Sequence, residues 1–213
     1  MIRLTPEELN ANNAYKLLAE VDHRAVKPFI LSQIRQGSEL VRWFSLYQGV
    51  MVLLFIFLVV KALILYWHGV DAPLSDLGLS VVFSFTLLII VHEGLHALAY
   101  FLCGVRKIRA GAVWQKFIFY VLADRQVIGA RTFFIVALAP FIVIKVVCFG
   151  LVVLFRNTDL FYFFLGVMCI HSLFCAGDIA MIAFYRQHAD KTILNFDDRK
   201  LGKTFFYYLD KQL

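Results

Sequence analysis

The chain has 213 residues, of which 61% are hydrophobic and 17% are charged, and its formal net charge is +6. Soluble domains usually contain about 45–50% apolar and about 25% charged residues, so this composition excludes a disordered protein and argues against a water-soluble globule. The apolar residues are spread over four blocks. This distribution predicts several membrane spans rather than one apolar tail.

Each apolar block is long enough to cross a hydrocarbon layer of about 30 Å as a helix, which needs about 20 residues. The predicted spans are residues 43–66, 78–103, 131–155 and 160–185. Their sequences lack strand-like alternation, and backbone that faces lipid must satisfy its hydrogen bonds internally. The expected fold is therefore an all-α integral membrane protein with four transmembrane helices.

Lys and Arg residues predict the orientation of these spans. Of the 21 in the chain, six precede the first span, six lie from Arg106 to Arg131 inclusive, and six follow the fourth span. Cytoplasmic loops carry an excess of basic residues, so both termini are expected in the cytoplasm. The prediction is a multi-pass protein of the cell membrane. Because this orientation accounts for the positive charge, no nucleic-acid partner is expected.

Three segments are expected along the chain: a cytoplasmic N-terminal segment (1–42), a four-helix membrane core (43–185) and a cytoplasmic tail (186–213). Near the start, Thr5-Pro6-Glu7-Glu8 combines a capping hydroxyl with proline at the first helical position. This pattern predicts an amphipathic helix over about 6–20. The rest of the N-terminal segment mixes apolar and basic residues in a way that is typical of a membrane surface.

Short extended elements are expected at the cytoplasmic face. The connection 104–130 contains glycine breaks and a partial alternation of β-branched and aromatic residues, among them Phe117 and Val121. It therefore predicts a small hairpin. Residues 192–196 and 204–208 have the same character and predict a second extended pair.

Ionisable side chains within the spans need a physical reason, because a charge at mid-bilayer costs about 2.5–3.5 kcal/mol on insertion scales. The few such residues are Glu93, Asp178, His92, His96, His171, Lys61 and Lys145. We expect Lys61 to extend toward the outer surface. Lys145 is expected to do the same or to pair with a carboxylate. The acidic residues and histidines are therefore the candidates for a functional site.

The second span contains His92-Glu93-Gly94-Leu95-His96. A spacing of four places both imidazoles on one helical face, where they can bind one zinc ion. The carboxylate of Glu93 is then adjacent to the metal and can act as general base toward water. The pattern predicts a zinc site with His92 and His96 as ligands.

A catalytic zinc of this kind usually takes a third protein ligand. His171, Cys175 and Asp178 lie on one face of the fourth span and are the candidates. Counted from the predicted span starts, Asp178 is level with His92 and His96, whereas His171 is about 7 Å from their mean depth at about 1.5 Å per residue. We therefore expect Asp178 as third ligand and His171 as a supporting or transition-state-stabilising residue. Cys175 is the less common choice beside two histidines.

The motif inside a predicted membrane helix, with an aspartate from a later span, resembles the site-2 protease type of intramembrane zinc metalloprotease. The chain more closely resembles a bacterial family of membrane zincins, which are zinc metallopeptidases. The matching positions over most of residues 43–208 are His92 to His96, Ala139-Pro140, Gly177-Asp178, and Asp197-Asp198 to Gly202.

The site-2 proteases differ from this chain at two positions. They carry Leu-Asp-Gly around the third ligand and an asparagine before the proline, whereas this chain has Gly177-Asp178-Ile179 and Ala139. The resemblance to the membrane zincins implies a peptidase that uses Zn²⁺.

The expected function is therefore a zinc-dependent intramembrane or juxtamembrane peptidase. The metal activates a water molecule, Glu93 takes its proton, and the substrate is a membrane protein or peptide. Pro140 is a point where the third span can bend to admit a substrate helix.

Two alternatives use the same residues differently. A non-hydrolytic metal-binding membrane protein, a sensor or scaffold, would need the same ligands, and a fourth protein ligand such as His171 or Cys175 would favour it. A small transporter would need polar groups along a path through the bilayer, but the ionisable residues here cluster at one level.

Overall fold

The computed structural model describes residues 4–113 and 118–210. These ranges are mostly helical and also form a four-stranded sheet and a two-stranded hairpin. The helices are α1 (Pro6–Ala11), α2 (Val26–Arg35), α3 (Glu39–Trp67), α4 (Ala72–Ser84), α5 (Leu87–Leu102), α6 (Ala130–Leu154), α7 (Leu160–Phe174) and α8 (Ala176–Gln187). The strands are β1 (Tyr15–Asp22), β2 (Ile108–Val113), β3 (Ile118–Ala123), β4 (Ile128–Gly129), β5 (Ile193–Asp198) and β6 (Lys203–Leu209).

Two helices are each long and apolar enough to cross a membrane, α3 with 29 residues and α6 with 25. The pairs α4–α5 and α7–α8 reach that length only together, and they are bent by 46° and 42°. The described residues thus contain two helices that are candidate membrane spans, or up to four candidate spans if each bent pair is one span. The predicted spans 43–66 and 131–155 overlap α3 and α6, whereas the helices predicted over 78–103 and 160–185 are each interrupted.

Side-chain hydrogen bonds accompany both interruptions. Thr86 Oγ1 donates to the Val82 carbonyl oxygen at 2.7 Å, a bond that competes with the helical ladder before α5 begins. Cys175 separates α7 from α8, and its Sγ donates to the His171 carbonyl oxygen at 3.4 Å. Neither bend is visible in the hydropathy of the sequence, since both lie inside the apolar blocks predicted as spans 78–103 and 160–185.

The four-stranded sheet corrects the all-α prediction. Its order is β1-β6-β5-β4 with antiparallel pairs throughout. The helix predicted over about 6–20 is also wrong beyond Ala11. The capping box itself forms as predicted, because Thr5 Oγ1 accepts from the Glu8 amide at 3.2 Å and Glu8 Oε2 accepts from the Thr5 amide at 2.8 Å.

The helix gives way to a strand at Asn12. The Asn12 Oδ1 atom accepts from the Ala14 amide at 2.9 Å, which closes a turn of the kind that asparagine favours. β1 then pairs along β6, from Tyr15 opposite Leu209 to Asp22 opposite Lys203. The partner strand lies at the other end of the chain, so the local pattern could not reveal it.

The predicted extended elements are confirmed. β5 and β6 are antiparallel neighbours around a turn in which Gly202 has φ of +65°. β2 and β3 form the hairpin predicted within 104–130, paired from Ile108 opposite Ala123. Phe117, which the sequence placed in this hairpin, lies outside the described residues.

The chain divides into two compact units. The sheet unit comprises Met1–Val41, Glu93–Leu138 and Asp178–Leu213, and the helical unit comprises Arg42–His92 and Ala139–Gly177. One core cluster of the sheet unit consists of Val21, Phe184, Tyr185, Ile193 and Phe206. One core cluster of the helical unit consists of Leu58, Ala62, Leu77, Tyr162 and Leu165.

Within the helical unit, α4 packs on α7 through small residues. A Cβ atom at Gly166 would clash with the Ser80 side chain and approach Leu77 Cδ1 to 3.0 Å. Ser80 is fully buried, and its hydroxyl donates to the Leu77 carbonyl oxygen at 2.6 Å. The close approach of the two helices therefore requires glycine at position 166.

Gly166→Ala should lower the free energy of unfolding by about 1–3 kcal/mol, because the methyl group overpacks this contact. Gly150→Ala is the matched control, since nothing lies within 4 Å of a Cβ atom there. Unfolding of both variants in mixed detergent micelles, followed by circular dichroism, checks the prediction. Equal stabilities would contradict the packing described for α4 and α7.

Within the sheet unit, a buried carboxylate joins three segments. Asp197 on β5 accepts from the Thr204 hydroxyl at 2.6 Å and from the Ala123 amide at 3.3 Å. His23 Nε2 lies 4.0 Å from its Oδ1. Burial raises the pKa of Asp197 to about 6, although the Thr204 and Ala123 hydrogen bonds oppose this shift.

Asp197 should make the sheet unit less stable as pH rises. Because its pKa is higher in the folded chain than in the unfolded one, its contribution is full below about pH 4 and is lost as pH passes about 6. Asp197→Asn keeps a neutral side chain at every pH. The stability of this variant relative to wild type should therefore increase between pH 4 and 7, by up to about 3 kcal/mol.

Thermal unfolding of both proteins in detergent across this pH range measures the effect. The same comparison in a His23→Gln background removes the titrating side chain 4.0 Å from Asp197. A difference between wild type and variant that stays constant with pH would show that the carboxyl does not titrate in this range.

Candidate metal centre

The two motif histidines lie one turn apart on α5, which begins after the bend at Thr86. Both side chains are buried. The helix is apolar on either side of them, so each imidazole needs a polar partner. Different parts of the chain supply those partners.

His96 is oriented by a backbone carbonyl and faces a carboxylate. Its Nδ1 lies 2.9 Å from the carbonyl oxygen of Val136 on α6. Its Nε2 lies 3.5 Å from Oδ1 of Asp178, in the first turn of α8. Two ligands at about 2.0–2.2 Å from a tetrahedral zinc are about 3.4 Å apart, so this separation fits a shared metal ion.

His92 contacts a third histidine. Its Nδ1 lies 3.1 Å from Nε2 of His171, which is on α7 and fully buried. Cys175 follows His171 by one turn, and its Sγ lies 3.7 Å and 3.8 Å from the two ring nitrogens of His171. The three side chains form a second polar group within the helical unit.

Two sets of side chains among the described residues could hold a metal ion, with ligand atoms within 4.8 Å of one another. The first set is His92, His96 and Asp178, and the second is His92, His171 and Cys175. The first has the composition of a catalytic zinc site, two imidazoles and one carboxylate. The second contains a thiol and is completely buried, which is more typical of a closed site.

Glu93 follows His92 on α5 and is half-buried, with one carboxylate oxygen shielded from solvent. Asp178 is partly open, with 21% of its side chain exposed. A carboxylate beside the histidines and a partly accessible ligand are the features that metal-assisted hydrolysis requires.

The structure brings the predicted ligands His92, His96 and Asp178 together. It places His171 against His92, closer than the depth comparison implied. That comparison assumed a straight helix over 160–185, and the bend at Cys175 changes the rise along it. The role of the Val136 carbonyl was not predicted, because a backbone acceptor carries no side-chain signal in the sequence. The available clue is Pro140, four residues later.

Among the described residues, Lys145 contacts a backbone carbonyl and aromatic rings rather than a carboxylate. Its Nζ donates to the Met168 carbonyl oxygen and lies 5.6 Å from the ring centre of Tyr47 and 6.0 Å from that of Phe141. These contacts satisfy the ammonium group within the helical unit. Lys145 is therefore not a partner for the carboxylates of the metal centre in this structure.

The described residues thus combine helices that are long and apolar enough to span a membrane with two histidines and an aspartate that could share a metal ion. Residues 85–193 match the model of a family described as "Putative zincin peptidase". The chain belongs to this zincin peptidase family, which confirms the resemblance to zincin metallopeptidases and implies a zinc cofactor. No curated protein and no solved structure matches the chain.

Zinc content distinguishes the two ligand sets. His96→Ala and Asp178→Ala should each lose zinc or bind it at least about tenfold more weakly, because each removes one of three protein ligands. Cys175→Ala should retain zinc and serves as the matched control. Metal analysis of the purified variants by mass spectrometry, with zinc competition by a chromogenic chelator, measures this.

Zinc retained in Asp178→Ala but lost in Cys175→Ala would assign the metal to His92, His171 and Cys175 instead.

Proposed function

We propose that the protein is a zinc-dependent peptidase that cleaves a membrane protein or peptide within or next to the membrane. The observation that carries this proposal is the grouping of His92, His96 and Asp178 beside Glu93. Membership of the zincin peptidase family supports a peptidase in general. The apolar helices support an active site within a membrane protein.

His92, His96 and Asp178 are the proposed zinc ligands. Zinc held there would act as a Lewis acid and lower the pKa of a water molecule to about 7. The 3.5 Å separation of His96 Nε2 and Asp178 Oδ1 supports these two residues as neighbouring ligands. The partial exposure of Asp178 supports access by water.

Glu93 is the proposed general base. It takes the proton from the attacking water and returns it to the leaving amine, the two proton transfers that peptide hydrolysis requires. Its position next to His92 on α5 supports this role. A site that only bound metal would have no use for a carboxylate in this place.

His171 is proposed as a positioning residue for His92. A bond from His92 Nδ1–H to His171 Nε2, across the observed 3.1 Å, leaves His92 Nε2 available for the metal. This arrangement favours the supporting role over direct stabilisation of the transition state.

We propose that the protein lies in the cell membrane with both termini in the cytoplasm. Most of its basic residues lie before the first predicted span, between the second and third, and after the fourth, and cytoplasmic segments carry an excess of such residues. A substrate in extended conformation could add to an open sheet edge, a common mode of peptide recognition. In the described residues, β1 is one of the two edge strands of the four-stranded sheet and offers such an edge. A helical substrate would first have to unwind.

The second candidate is a metal-binding membrane protein without hydrolytic activity. The buried group of His92, His171 and Cys175 favours it, since it could close the coordination of a metal at His92. A closed site would leave no position for water, and the protein would then act as a metal sensor or scaffold rather than cleave peptides.

Glu93→Gln should keep zinc and lower the cleavage rate by at least about 10²-fold, because general acid–base catalysis typically contributes about 10²–10⁴-fold. Cleavage is measured in proteoliposomes with a library of labelled single-span peptides, by mass spectrometry of new termini. Glu39→Gln, at the exposed start of α3, is the matched control and should cleave like wild type.

Undiminished cleavage by Glu93→Gln would refute the role of Glu93 as general base. If wild type holds zinc but yields no new termini that disappear with a zinc chelator, the non-hydrolytic alternative is correct instead.

A further inference from the structure

Pro140 lies in the interior of α6, where proline is costly. It has no amide hydrogen and cannot donate to the carbonyl of Val136, four residues earlier. Proline in a helix interior typically costs about 3 kcal/mol. Its side chain is fully buried, so the residue does not simply fill a lipid-facing surface.

The carbonyl that proline leaves without its usual donor is the one that His96 contacts. The distance from His96 Nδ1 to the Val136 oxygen is 2.9 Å, a normal hydrogen bond. Neighbouring groups often re-satisfy the backbone carbonyls that proline frees in membrane helices. Here the neighbouring group is the side chain of a proposed zinc ligand.

The bond fixes the tautomer of a neutral His96 ring. A carbonyl oxygen only accepts, so Nδ1 carries the hydrogen, and in the neutral imidazole Nε2 then keeps its lone pair. Nε2 is the atom that lies 3.5 Å from Asp178 Oδ1. The geometry thus links the missing amide hydrogen at position 140 to the metal-facing nitrogen of His96.

We propose that Pro140 is a positioning residue: by lacking an amide hydrogen, it reserves the Val136 carbonyl for His96 Nδ1–H and so holds Nε2 toward the metal. This inference rests on the proposed zinc site. An amino acid with an amide hydrogen at position 140 would compete for the same carbonyl, and the His96 ring would lose its fixed orientation.

Two variants separate the missing hydrogen from the proline ring. Pro140→Ala restores an amide hydrogen. Replacement of Pro140 by lactic acid through nonsense suppression gives the same methyl side chain with an ester oxygen in place of N–H. The two variants differ only at the backbone atom that would bond to the Val136 carbonyl, and both lack the ring.

Pro140→Ala should weaken zinc binding by about 10–100-fold, the usual effect of losing a partner that orients a ligand. The lactic acid variant should bind zinc within about threefold of wild type. Zinc affinity is measured by chelator competition in detergent. The ¹⁵N spectrum of His96 in zinc-free protein is a second readout, with the hydrogen on Nδ1 in wild type and the ester variant and a mixture in Pro140→Ala.

Equal zinc affinities for Pro140→Ala and wild type, with the same His96 spectrum, would overturn the proposal. Equal losses in the alanine and ester variants would also overturn it, since the ring rather than the missing hydrogen would then matter. The His96 spectrum needs neither zinc nor cleavage. It therefore tests Pro140 even if the proposed peptidase activity fails its own test.

Discussion

A polar side chain in an apolar helix must find a polar partner, and this constraint organises the site. His92 lies against His171, and His96 lies between the Val136 carbonyl and Asp178. Each contact offsets the desolvation of an imidazole that hydropathy alone would keep out of a membrane segment. The same contacts give each ring a defined orientation, which a metal ligand also needs. The contacts that satisfy the buried imidazoles are therefore the same contacts that orient them for the proposed zinc site.

The constraint also explains features that weaken individual helices. The bend between α7 and α8 interrupts an apolar segment, and Pro140 removes a backbone donor from α6. Both changes lie next to groups of the proposed site. Cys175 contacts His171 at the bend, and the carbonyl of Val136, four residues before Pro140, accepts from His96. The helices are thus weakened at two places where side chains of the proposed metal centre gain a contact: a backbone carbonyl without its helical donor in α6, and a change of chain direction between α7 and α8.

The sequence was most informative where one residue type has few possible uses. Glu93 between two histidines in an apolar block has almost no structural explanation. Basic residues outside the blocks are explained by the orientation of the predicted spans. Asp178 could be predicted as a site residue because a carboxylate so deep in an apolar segment is rare. The predictions failed where distant partners decide: β1 is a strand because β6 pairs with it, and residues 15–20 alone also fit an amphipathic helix. The position of His171 depended on a bend that apolar residues on both sides conceal.

The proposed zinc site uses nitrogen and oxygen atoms of His92, His96 and Asp178 and leaves a position for water. X-ray absorption at the zinc edge of the purified, zinc-loaded wild-type protein tests this ligand set directly. We expect nitrogen and oxygen neighbours at about 2.0–2.2 Å, with the outer-shell scattering of two imidazoles. A sulfur neighbour at about 2.3 Å would instead place Cys175 in the coordination sphere and refute this ligand set.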